Sequence, residues 1–139
     1  MIVFWDTSAF LPLVLSEAGS ATAVRLWEEA DRVVASRLLY VEAAAALAMA
    51  QRMGRIEKSA QRAARRDIDR LHEAVDCVEV TPSLVRRAAG LAEELQLRGY
   101  DAVHCASAEA VGDEDVVVAS GDREVLRACQ HLGLGVAQV

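Results

Sequence analysis

The sequence predicts an α/β fold in which a parallel sheet carries helices on both faces. Three observations lead there. Short apolar runs rich in β-branched residues alternate with longer helical segments, the pattern of repeated strand–helix–strand units. The 139 residues contain no linker, repeat or low-complexity tract, so a single domain over 1–139 is expected. Hydrophobic residues make up 53% and charged residues 26%, which excludes a disordered or fibrous chain.

Strands are expected, in chain order, at residues 2–5, 33–35, 77–80, 116–119 and 135–137, each short and apolar. The helices fall between them, at about 9–15, 18–30, 39–53, 57–74, 83–97, 102–111 and 123–132. Ala is the commonest residue, with 26 copies, which favours helix. In the second segment Ala23, Leu26, Trp27 and Ala30 share one face. Thr81-Pro82-Ser83 opens a helix with proline in its first turn. Gly99 is expected to break the helix before it.

Composition narrows the function. The longest apolar stretch, 38–50, contains Glu42 and falls short of the roughly 20 residues a membrane span requires. The amino-terminal run has no basic region before it and is interrupted by Asp6, unlike a secretory signal. Cys77, Cys105 and Cys129 are odd in number and form no C-x-x-C pair, so reduced thiols in a cytoplasm are expected. Aromatics are only 4%, which argues against a base- or sugar-stacking platform. The net charge of −6 argues against a general nucleic-acid coat. Residues 51–70, however, carry seven positive side chains against three acids, leaving the rest of the chain strongly acidic. That segment is either a local polyanion contact or a solvated face laced with charge pairs.

In parallel sheets, sites form beyond the carboxyl ends of the strands. Asp6 and Asp122 directly follow predicted strands. Glu42 and Asp101 fall in the first turns of helices that enter the same edge. Each has an ordinary explanation: Asp6, Asp101 and Asp122 as helix N-caps, Glu42 as a first-turn acid favoured by the helix dipole. Glu42 is the least ordinary, as the lone charge in an otherwise apolar helix expected to be buried. If the four converge, carboxylates about 5 Å apart repel by roughly 3 kcal/mol per pair at an effective dielectric of 20. A cation or a retained proton must offset that. An all-oxygen set selects Mg²⁺ or Mn²⁺ over zinc and suits phosphodiester chemistry.

Other classes fail on particular residues. The first strand is followed by Asp6-Thr7-Ser8-Ala9-Phe10, with none of the glycines of a dinucleotide fold. The only lysine is Lys58, so no phosphate-binding P-loop exists and no receiver-domain lysine is available. Ser8 stands where a haloacid-dehalogenase-type phosphatase has its second aspartate. An adhesion-type Asp-x-Ser-x-Ser metal motif is matched by Asp6 and Ser8 but broken by Phe10. His104 and Cys105 show no zinc spacing with His72 or His131, and a packed, hydrogen-bonded core histidine is the expected role of His104.

Four motifs in order carry a resemblance that runs over essentially the whole chain. They are Ile2-Val3-Phe4-Trp5-Asp6-Thr7-Ser8, Glu42 in its apolar helix, Tyr100-Asp101-Ala102-Val103-His104-Cys105-Ala106, and Ser120-Gly121-Asp122. Together they resemble the PIN-domain ribonucleases, most closely the VapC-type toxins of toxin–antitoxin modules. The third is the most specific; the fourth has Ser120-Gly121 where threonine is commoner. The resemblance implies a three-layer α/β/α sandwich with a central parallel sheet of four to five strands. It implies an endoribonuclease dependent on Mg²⁺ or Mn²⁺, with RNA as substrate, a cognate antitoxin and a homodimeric state. Carried over, Asp6, Glu42, Asp101 and Asp122 form the catalytic acids, with Asp6, Asp101 and Asp122 as metal ligands and Ser8 and Ser120 in support. In-line attack of water would leave a 5′-phosphate and a 3′-hydroxyl. Asp113, Glu114 and Asp115 precede their strand and are expected at the opposite edge. A housekeeping RNA-processing nuclease and a non-catalytic partner-binding module are the competing functions.

Overall fold

A computed structural model describes all 139 residues. Strands β1 (Ile2–Trp5), β2 (Arg32–Ser36), β3 (Asp76–Val78), β4 (Val116–Ser120) and β5 (Gly135–Gln138) form one sheet in the order β3-β2-β1-β4-β5. Every neighbouring pair is parallel, with Phe4 of β1 opposite Val34 on one side and Val118 on the other. The chain builds outward from β1 to β3, then returns to the far side of β1 to lay down β4 and β5. That reversal makes a crevice at the carboxyl edge between β1 and β4.

Side chains alternate across the sheet and define its two faces. Val3, Trp5, Val33, Ala35 and Ala119 pack under α1 (Thr7–Phe10), α2 (Ser20–Glu29), α3 (Leu39–Arg52) and α4 (Lys58–His72). Phe4, Val34, Val116 and Val118 pack under α5 (Pro82–Leu95), α6 (Gly99–Ala110) and α7 (Arg123–His131). The result is the three-layer sandwich the sequence predicts, with all five strands present. Parallel strands covered on both faces need continuous apolar runs, and those runs are what made them legible.

Three differences from the sequence reading have physical causes. The helix expected at 9–15 is split into α1 and a 3-10 turn, Leu11–Leu13, because Pro12 has no N–H for a continuing α-helix. Helix α3 is not buried all round: Leu39, Ala43, Leu47 and Ala50 form one buried stripe, while Val41 and Met49 are 56% and 50% exposed. Outer alanines carry little apolar area, so leaving them in water costs little. Gly99 does not break the preceding helix; it is the first residue of α6, and α5 ends at Leu95. The left-handed turn between them falls on Gln96, with φ 56° and ψ 43°. A side chain in that region costs about 1 kcal/mol. Gln96→Gly should therefore raise stability by about 0.5 kcal/mol after the entropy of the freer unfolded chain is deducted, read as a higher urea midpoint.

Candidate active site

Asp6 lies directly after β1 and is almost fully buried. It stands at the N-cap position of α1, yet its side chain makes no cap hydrogen bond. Instead Oδ2 accepts from the hydroxyls of Ser8 at 2.5 Å and Ser120 at 2.7 Å. Both hydroxyl protons are committed to that oxygen, so the 3.2 Å approach of the two serine oxygens is a contact between acceptors. Each hydroxyl oxygen also accepts a backbone N–H, Ser8 from Gly121 at 2.8 Å and Ser120 from Asp122 at 3.0 Å. The two serines thus sew the end of β1 to the end of β4 and fix one Asp6 oxygen, leaving Oδ1 open.

Glu42 sits in the first turn of α3, with its side chain 27% exposed, so the full burial expected of it is not found. The α3 stripe facing the sheet is only one residue wide, which leaves Glu42 at the crevice wall. Its Oε1 accepts from the Thr7 hydroxyl at 3.2 Å and from His104 Nε2. Oε2 makes no hydrogen bond. His104, on α6, is 1% exposed, and its Nδ1 has no hydrogen-bond partner, lying 3.9 Å from Asp6 Oδ1.

His104 is therefore the site residue that sequence reasoning left in the core. The signal was its position three residues after Asp101, on the same helix face. Burial works against charge on this imidazole. Its hydrogen bond to Glu42 and the carboxylates of Asp6, Glu42 and Asp101 outweigh burial and raise its pKa above 6.5. A raised folded pKa adds stability that is full below the unfolded value and lost as pH rises through the folded one. Metal-free protein should lose stability above pH 6.5 by this route, and His104→Gln should flatten that loss in urea titrations run across pH.

Asp101 and Asp122 complete the crevice. Asp101 is in the first turn of α6, whose N-cap is Arg98, so it is not the cap expected of it. Asp122 does cap its helix: Oδ1 accepts from Glu124 N–H at 2.9 Å. Its other oxygen accepts from Arg98 Nη2 at 3.4 Å, while Arg98 Nε donates to Asp101 at 2.8 Å. Asp113 and Asp115 lie before β4, near the amino terminus and away from these acids, as expected.

The basic segment is divided in its pairing. Arg65 lies over the Tyr40 ring and bonds its hydroxyl and Asp69, and Arg70 meets Asp67. Arg52, Arg55, Lys58, Arg62 and Arg66 form no ion pair.

The donor set tests whether a divalent cation fits. It is all oxygen, drawn from several elements, with Asp6 Oδ1 unbonded beside the orphaned His104 Nδ1. That chemistry suits Mg²⁺ or Mn²⁺. No three acidic, histidine or cysteine side chains stand in a ready-made coordinating arrangement, and Asp101 and Asp122 each accept from Arg98.

A parallel sheet that carries acids from separate elements along its carboxyl edge defines a class of acidic-edge α/β proteins. Residues 3–130 match the PIN domain family model, and the chain belongs to that family. Two ribonucleases of Mycobacterium tuberculosis, VapC45 (strain CDC 1551 / Oshkosh) and VapC49 (strain ATCC 25618 / H37Rv), are each 42% identical over 136 residues, 98% of this chain and 94% of theirs. The crystal structure of M. tuberculosis VapC20, described as a sarcin-ricin loop cleaving toxin, superposes with a TM-score of 0.68 at 25% identity, covering 91% of this chain and 94% of that one.

Proposed function

We propose that this chain is a metal-dependent endoribonuclease acting as the toxin of a toxin–antitoxin pair. The reading is supported by the placement of Asp6, Glu42, Asp101 and Asp122 at the carboxyl edge of the sheet, where His104 feels the charges of Asp6, Glu42 and Asp101 and Arg98 those of Asp101, Asp122 and Asp6; kinship with VapC ribonucleases supplies RNA as the substrate. Asp6, Asp101 and Asp122 are the groups that would hold Mg²⁺ or Mn²⁺, which when bound supplies charge neutralisation and Lewis acidity at the phosphodiester.

The residues do the rest. Ser8 and Ser120 lock Asp6 Oδ2, so that Oδ1 keeps one orientation. His104 and Thr7 occupy Glu42 Oε1, which leaves Oε2 as the acceptor for a proton. Water attacks phosphorus in line, its proton passes to Glu42 Oε2, and the bond from phosphorus to the 3′ oxygen breaks. The 3′ oxygen takes a proton from solvent, and the products are a 5′-phosphate and a 3′-hydroxyl. The unpaired arginines of 51–70 would attract the RNA backbone towards an otherwise repulsive pocket. An antitoxin is the protein partner this role requires, and a homodimer is the assembly the family resemblance implies.

The test is cleavage of a mixed RNA substrate by purified protein with Mg²⁺ or Mn²⁺ and with EDTA. Metal-dependent cutting that yields 5′-phosphate ends supports the reading. No cutting with either metal would leave a partner-binding module as the better function.

A further inference from the structure

We propose that Arg98 is a resident counter-ion of the acidic site, competing from within the chain with the divalent cation for Asp101 and Asp122. This rests on the metal-site reading above and adds a competitor to it. Arg98 occupies the N-cap position of α6 with extended backbone, φ −66° and ψ 153°, which turns its side chain back over the first turn. Its guanidinium divides between two elements: Nε takes Asp101 Oδ2 at 2.8 Å, and Nη2 takes Asp122 Oδ2 at 3.4 Å. The hydrogen bond to Asp101, and then the charges of Asp101, Asp122 and Asp6, hold its pKa up. These are three carboxylates that would otherwise repel one another.

The rest of the side chain is unanchored. It is 80% exposed, while the Asp101 and Asp122 side chains are 16% and 29% exposed. A planar fork on an exposed, flexible stem can swing out at little cost, whereas the carboxylates are fixed by their helices. A divalent ion bound between Asp101 and Asp122 competes for the two oxygens, Asp101 Oδ2 and Asp122 Oδ2, that Arg98 now holds. Binding of the ion and departure of the guanidinium are then one exchange, with one positive charge leaving as two arrive. The displaced guanidinium stays at the mouth of the crevice, where an RNA phosphate would approach.

The experiment is Mn²⁺ titration of the full chain without RNA, followed by the electron paramagnetic resonance of free Mn²⁺. Wild type is compared with Arg98→Gln and with Arg123→Gln, which removes the same charge from the exposed neighbour of Asp122 but breaks no hydrogen bond to the site. Arg98→Gln should bind Mn²⁺ about three- to tenfold more tightly, the worth of one or two exposed ion pairs. Arg123→Gln should stay within about twofold of wild type, since an exposed charge without a partner is largely screened. The metal-free melting temperature of Arg98→Gln should lie below that of wild type, and Mn²⁺ should close the gap. Equal or weaker Mn²⁺ binding by Arg98→Gln, or equal tightening in Arg123→Gln, overturns the role of Arg98 and leaves the nuclease reading standing. Absence of Mn²⁺ binding in all three chains overturns both. Tightening without RNA cleavage by any chain upholds the counter-ion and removes the nuclease.

Discussion

Asp6→Asn should lower RNA cleavage by about a thousandfold or more while leaving the fold intact. The substitution is isosteric. Its amide oxygen can take the place of Oδ2 and still accept from Ser8 and Ser120, so the stitch between β1 and β4 survives. The amide nitrogen then falls where Oδ1 lies, 3.9 Å from His104 Nδ1, and puts N–H donors where a cation needs an oxygen. One negative charge also leaves a crowded group of acids, so the melting temperature should hold or rise. The measurement is the single-turnover cleavage rate with Mg²⁺ or Mn²⁺, alongside circular dichroism and a thermal melt. Cutting at the parent rate by a folded variant would mean that the site has been assigned to the wrong acids.

Phe4→Ala should cost about 3–5 kcal/mol of stability, among the largest losses expected from a single side chain outside the site. Phe4 is 0% exposed on the central strand and lies opposite Val34 and Val118, so the void has valines on both sides. The helices covering this face, α5 and α6, supply Leu84, Leu91, Ala88, Ala102 and Ala106 to the same buried cluster, on backbones that the rest of the fold holds in place, so the space closes only in part. Against a total of about 5–15 kcal/mol, that loss should lower the melting temperature by roughly 10 °C or more. Val24→Ala, at a position 44% exposed on α2, serves as the comparison and should change stability by no more than about 0.5 kcal/mol. A loss below about 1 kcal/mol for Phe4→Ala would show that the core repacks more freely than this geometry allows.

What could be read from the sequence follows from how each feature is encoded. The strands were legible because a sheet covered on both faces demands unbroken apolar runs, and Ile2–Trp5 and Val116–Ser120 are such runs. The acids were legible by position, since Asp6 and Asp122 each follow a strand and Glu42 is alone among alanines. Their individual environments were not. The cap reading holds for Asp122 and fails for Asp6, and the difference lies in Ser120, which is 114 positions from Asp6. The partnership of His104 with Glu42 spans 62 positions and has no local mark beyond the spacing from Asp101. Arg98 was invisible for the opposite reason: an arginine three residues before an acid is commonplace on helices, and only the approach of Asp122 from another element makes it unusual.

The strand order has a consequence for synthesis. The central strand is the first to be made, and its second neighbour, β4, is among the last. Asp6 leaves the ribosome early but gains the Ser120 hydroxyl and the proximity of Asp122 only when that late strand docks beside it. Pairings this distant form slowly and late in folding. A nascent chain would therefore lack the assembled site until most of its length has emerged. A partner that captured the chain before β4 docked would intercept it before it had ever been active.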